Sequence, residues 1–132
     1  PTTGTARGDG MLTVRFESDK MVLEKLYGEL GMTGVEGGAN FVLCDDGEPV
    51  GVMRTVVGDF VQITHFKVKN EEINGEDREF FLRAMLFKFS LNPVLLGVKG
   101  EHPELLKFGF RQEGDYMFLR SDEVRLKGHC GD

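Results

Sequence analysis

Few side chains in this sequence have the chemistry of a reactive site, and they are scattered. His65 stands in the run Ile63-Thr64-His65-Phe66-Lys67-Val68. Imidazole gains and loses a proton near neutral pH, which suits a general base. The plainer reading is a histidine on a sheet face holding one hydrogen bond. Cys44 ends the run Phe41-Val42-Leu43-Cys44. A thiol becomes a nucleophile when a base or cation lowers its pKa, and no such group stands beside it. A small core residue is expected there. Asp45 and Asp46 share a turn but offer too few oxygens for a calcium loop. Glu113 and Asp115 flank a later turn, where carboxylates are ordinarily solvated, although they would also attract an amine. The three histidines and two cysteines have no metal-ligand spacing.

The elements that must position these residues can be read in order. Leu12, Val14 and Phe16 alternate with Thr13 and Arg15, which predicts a half-buried strand. Ser18 or Asp19 caps a helix whose Leu23, Leu26, Tyr27 and Leu30 recur at i, i+3, i+4 and i+7, and Gly31 closes it. Phe41 to Cys44, Val50 to Val57 and Phe60 to Val68 then read as three consecutive strands around the turns Asp46-Gly47 and Gly58-Asp59. From Glu76 to Leu91 the period becomes helical, with Phe80, Ala84, Phe87 and Leu91 as the predicted core stripe and Phe81, Met85 and Phe89 beside it. Glu76 and Asp77 fall in the first turn, where carboxylates complement the helix dipole. Val94 to Val98 is a short apolar run, expected to be buried on both faces. Pro103 opens a short helix, Gly109 closes it, and Phe110 to Gln112 with Tyr116 to Arg120 make a last hairpin.

Composition narrows the class. The chain has 132 residues, 40% of them hydrophobic and 29% charged, as in a soluble globular protein. A domain at 11–127 is expected, between a flexible segment at 1–10 and a flexible tail at 128–132. The net charge of −6 argues against a nucleic-acid partner, because phosphate backbones call for a basic face. No apolar run approaches the roughly 20 residues that span a bilayer, so no membrane partner is expected. Two cysteines without a CxxC pair point to a reducing cytoplasm.

The order β-α-β-β-β-α-β-α-β-β, the hairpin Asp46-Gly47-Glu48-Pro49-Val50-Gly51-Val52, the strand through His65 and the closing Leu105-Leu106-Lys107-Phe108-Gly109-Phe110 together resemble the GNAT family of acetyl-CoA-dependent N-acetyltransferases. The resemblance runs from about Leu12 to Leu119. It implies a GNAT-like α/β (α+β) fold with a mixed, mostly antiparallel twisted sheet. It also implies acetyl-CoA as co-substrate and an amine, on a small molecule or a peptide, as acceptor. A homodimer or a neighbouring domain is a further possible partner. In the family, a glycine-rich loop before the long helix holds the CoA pyrophosphate on backbone N–H groups. The matching positions here are about Ile73-Asn74-Gly75-Glu76-Asp77-Arg78, and the strand backbone at Phe66 and Val68 would hold the pantetheine arm. A base on or near the fourth strand implies His65.

The sequence departs from that pattern twice. The loop keeps one glycine, Gly75, and is crowded by Glu71, Glu72, Glu76, Asp77 and Glu79, so a pyrophosphate would meet like charge. Leu105 stands where many members carry a tyrosine that protonates the leaving thiolate, and leucine has no proton to give. Two functions therefore stand side by side. One is an acyl-CoA-dependent N-acyltransferase with an unusual CoA loop. The other is a non-catalytic GNAT-like domain that binds or regulates a partner.

Overall fold

A computed structural model of the chain describes residues 11–69 and 75–126. The terminal segments expected to be flexible, 1–10 and 128–132, lie outside the described residues, as does the loop at 70–74. The elements follow as β1 (Leu12–Glu17), α1 (Lys20–Leu30), β2 (Ala39–Asp45), β3 (Glu48–Val57), β4 (Val61–Val68), α2 (Gly75–Ser90) and β5 (Leu95–Lys99). A 3-10 helix (Pro103–Phe108), β6 (Arg111–Glu113), β7 (Tyr116–Arg120) and a 3-10 turn (Ser121–Glu123) complete the order. The seven strands form one sheet in the order β1-β2-β3-β4-β5-β7-β6. β4 and β5 pair in parallel, with Val61, Gln62 and Ile63 opposite Leu96, Gly97 and Val98. The pairs β1–β2, β5–β7 and β6–β7 are antiparallel. This is the mixed sheet and element order read from the sequence, with the third helix in 3-10 form. Parallel neighbours need a long crossover, and α2 supplies it.

The chain divides into two compact units. One holds the chain up to Arg54 together with His65–Phe81; the other holds Thr55–Thr64 and the chain from Leu82 onward. The first unit is organised by α1. Asp19 caps it, its carboxylate accepting from the N–H groups of Met21 and Val22 at 2.9 and 3.4 Å, and Gly31 ends it with φ at 71°. Leu23, Leu26, Tyr27 and Leu30 pack on Val42, Cys44 and Val52. Burying a leucine contributes about 1.5–3 kcal/mol, so this stripe holds the helix to the sheet. The β2–β3 turn has positive φ at both Asp46 and Gly47, 53° and 87°, as type I′ hairpin turns do.

In the second unit Leu96, Leu105, Phe108, Phe110, Met117 and Leu119 are buried. The Phe60 ring meets Phe118 and Tyr116 edge-on at 5.1 and 5.7 Å. It occupies the space that a side chain at Gly97 would need, since a Cβ there would lie 2.4 Å from the ring. Gly109 ends the 3-10 helix at φ 109°, a left-handed angle that L side chains resist.

Two expectations are corrected. The core stripe of α2 is not Phe80, Ala84, Phe87 and Leu91. The buried residues are Phe81, Leu82, Met85 and Leu86, while Phe80, Phe87 and Leu91 are 40%, 55% and 68% exposed. α2 carries apolar residues around most of its circumference, so periodicity reveals a helix without fixing its rotation, which packing decides. The run Val94 to Val98 is buried less completely than its composition implies. Leu96 and Gly97 are buried, but Leu95 is exposed.

Candidate active site

β4 carries His65, Phe66 and Val68, and successive strand residues point to opposite faces of a sheet. On one face the His65 ring lies 5.6 Å from the ring of Tyr27 on α1. Its Nε2 is 2.8 Å from the backbone oxygen of Thr33. A carbonyl oxygen only accepts, so Nε2 carries a proton, and in the neutral ring Nδ1 is the basic atom. Gly34 follows closely, and a Cβ there would sit 3.4 Å from Nε2.

Tyr27 is itself held from two sides. It is buried, and its hydroxyl donates a short hydrogen bond to Asn40 Oδ1. Burial pushes the phenol pKa up, against a smaller downward pull from the Arg54 cation. Arg54 ties down the adjoining loop, donating from Nη2 to Glu36 O at 2.7 Å and from Nε to Gly37 O at 3.2 Å. The surroundings of His65 are thus set by α1, by Asn40 and by the 33–37 segment.

On the opposite face the Phe66 ring packs on Phe81 at 5.4 Å, and the Arg78 guanidinium lies over it at 4.8 Å. Val68 is buried beside Gly51, whose hypothetical Cβ would be 3.0 Å from Val68 Cγ2 and 3.1 Å from Lys67 O. Gly75 opens α2 on an exposed turn, and a Cβ there would meet no described atom within 4 Å. Of the two first-turn carboxylates only Glu76 is exposed; Asp77 is 6% exposed. This corrects the expectation that both would face an incoming anion. The structure therefore brings Phe66, Arg78 and the start of α2 together and sets His65 on the other side of β4. Asn74 lies outside the described residues.

The remaining candidates carry less chemistry. Burial pushes the Cys44 thiol pKa up, so it stays a protonated core residue at neutral pH. Asp46 accepts from the Met11 N–H at 3.0 Å, and Glu113 and Asp115 are exposed. No group of three His, Cys, Asp or Glu residues suited to a metal occurs among the described residues. Leu105 is buried, and Tyr116 stacks against Phe118. Sequence reading missed Asn40 and the Tyr27 hydroxyl, because their pairing joins two elements 13 residues apart.

No protein-family model matches the chain, and no curated protein sequence matches it. Solved structures do. A GNAT family acetyltransferase from Brucella melitensis in complex with acetyl-CoA is similar at a TM-score of 0.60 and 12% identity, over 83% of this chain and 88% of that one. The fold is that of the GNAT acetyltransferases. The GNAT N-acetyltransferase YhbS from Escherichia coli, in complex with CoA, aligns at 0.58 and 15% identity over 85% of this chain and 81% of its own. The AtaT toxin bound to the C-terminus of the antitoxin AtaR aligns at 0.53 and 11% identity over 84% of this chain and 94% of its own. The GNAT-like fold is thus shared with CoA-bound enzymes at identities that speak for architecture alone. Among the described residues no helix is long and apolar enough to cross a membrane.

Proposed function

We propose that the chain is an acyl-CoA-dependent N-acyltransferase that moves an acetyl group to a primary amine in the cytoplasm. The observation that carries this reading is the parallel β4–β5 pair bridged by α2, in a fold whose solved neighbours include complexes with acetyl-CoA and CoA. The 11–127 segment is the working domain.

In this reading acetyl-CoA supplies the acyl group as an activated thioester. The first-turn N–H groups of α2 around Asn74, Gly75, Glu76 and Asp77 hold its pyrophosphate, helped by the dipole of a 16-residue helix. Arg78 adds one cation. The β4 backbone near Phe66 and Val68 holds the pantetheine arm. His65, with Nε2 held 2.8 Å from Thr33 O, acts as general base toward the attacking amine, and CoA departs as the thiolate. The exposed carboxylate of Glu76 opposes an anion at this helix start. A small-molecule or peptide amine is the acceptor.

A second reading, a non-catalytic binding or regulatory domain, is favoured by buried Leu105, which leaves the leaving-group position without a proton donor. Its partner would be a protein, as for the AtaT toxin with its antitoxin, a second copy of this chain or a neighbouring domain. Thermal unfolding with acetyl-CoA separates the two, because a ligand of the folded state alone stabilises it by about 2.7 kcal/mol at 100 times Kd. A clear rise in Tm, with acetyl transfer that falls roughly 10²- to 10⁴-fold in His65→Gln at unchanged CoA affinity, is expected. No shift at millimolar acetyl-CoA overturns the enzyme in favour of the binding domain.

A further inference from the structure

A second concave feature lies in the first unit. The end of β1, the start of α1 and the 35–40 segment enclose a cavity of about 200 Å³. Leu23, Val35 and Phe16 give it apolar walls, and Asn40, Lys20 and Glu36 give it polar ones. Ligand pockets for drug-sized molecules occupy roughly 300–1,000 Å³, so this one suits a ligand about the size of a single amino acid.

Asn40 is the informative wall. It is 4% exposed, and its Oδ1 is taken by the Tyr27 hydroxyl. Its Nδ2 finds no partner among the described residues. A buried amide nitrogen without an acceptor is costly and uncommon in a folded protein, and it calls for an acceptor oxygen. The rim carries the complementary charges. Lys20 Nζ and Glu36 Oε2 pair at 2.7 Å across the gap between α1 and the loop, with side chains 59% and 74% exposed. Glu17 also lines the cavity, but Arg15 holds its carboxylate at 2.8 Å and the Asp19 N–H donates to it at 3.0 Å. Glu36 is thus the carboxylate placed to exchange its partner, since an exposed pair is worth only about 0–1 kcal/mol. Arg54 holds the Glu36 and Gly37 backbone in place while the Glu36 side chain reaches the rim.

We propose that this cavity binds a free α-amino acid with an apolar side chain, as a zwitterion. Its carboxylate takes the Asn40 Nδ2–H and Lys20, its ammonium takes Glu36, and its side chain lies on Leu23 and Val35. The ligand opens one exposed ion pair and restores two, and it satisfies the buried amide. The site stands independently of the acyltransferase reading, because no contact in it involves the α2 start.

The test is a ¹H–¹⁵N NMR titration of the full chain with L-leucine, without acetyl-CoA. Saturable movement of the Asn40 side-chain amide and of the Gly37 and Gly38 backbone signals is expected. N-acetyl-L-leucine lacks the cation and L-leucinamide lacks the anion, so each should bind at least about fivefold more weakly. Lys20→Gln and Glu36→Gln replace exposed side chains and should keep the wild-type spectrum elsewhere, with leucine affinity reduced by a similar factor. The proposal is overturned if leucine moves none of these signals, if either blocked analogue matches leucine, or if both variants bind leucine as the wild type does.

Discussion

His65, Tyr27 and Asn40 form a chain of contacts in which the middle residue is the most constrained. Tyr27 turns its ring to His65 and its hydroxyl to Asn40, and both Tyr27 and Asn40 are buried. Tyr27→Phe keeps the ring and removes the donor, leaving Asn40 Oδ1 buried without its partner. The expected cost is about 1–3 kcal/mol, read as a lower urea midpoint at unchanged m-value. A loss below a few tenths would mean that Asn40 re-pairs elsewhere. His65 was legible as a candidate because of its residue type and its place in a strand. The orientation of its ring, with Nε2 on Thr33 O, was not, because Thr33 is 32 residues away along the chain.

At the scale of the element, α2 is decided by its rotation and by its first turn. Phe81 is fully buried and Phe87 is 55% exposed, although both lie in one apolar helix. Phe81→Ala should cost about 3–5 kcal/mol through lost burial and a cavity. Phe87→Ala should change stability by less than about 0.5 kcal/mol, as surface substitutions do. Equal effects in chemical denaturation would show that the helix is turned otherwise. The first turn of the same helix is the proposed phosphate site. Glu76 is exposed and faces no burial cost, so Glu76→Lys should tighten CoA binding by roughly 1 kcal/mol, about fivefold, in isothermal titration. Affinity left unchanged by that charge reversal would remove the helix start from the phosphate site.

For the molecule as a whole, burial ties stability to alkaline pH through two groups. Cys44 and Tyr27 have ordinary pKa values of 9.0 and 10.0, and burial raises both. Both stay uncharged in the fold at pH values where the unfolded chain ionises them. Their contribution is complete below about pH 9 and is lost as pH rises through the raised folded-state values. The urea midpoint should therefore hold steady from neutrality to about pH 9 and then fall. Combining Cys44→Ala with Tyr27→Phe should flatten that fall, whatever the midpoint of the variant at pH 7. A decline of the same steepness in the double variant would assign it to other groups.

The sequence by itself determined the element order, a cap at Ser18 or Asp19, the Gly31 stop, the Asp46-Gly47 turn, the Gly109 stop and the parallel partnership of β4 and β5. Each is written in local residue chemistry or in period, and the crossover follows from the helix between two strands. It also marked His65 and the acidic start of α2 as candidate sites. Only the tertiary structure decided which face of α2 is buried, that Asp77 turns inward while Glu76 stays out, and that Asn40 meets Tyr27 over a small cavity. Those outcomes depend on which distant side chains compete for the same space and the same hydrogen bonds. Local propensity and spacing carry no record of that competition.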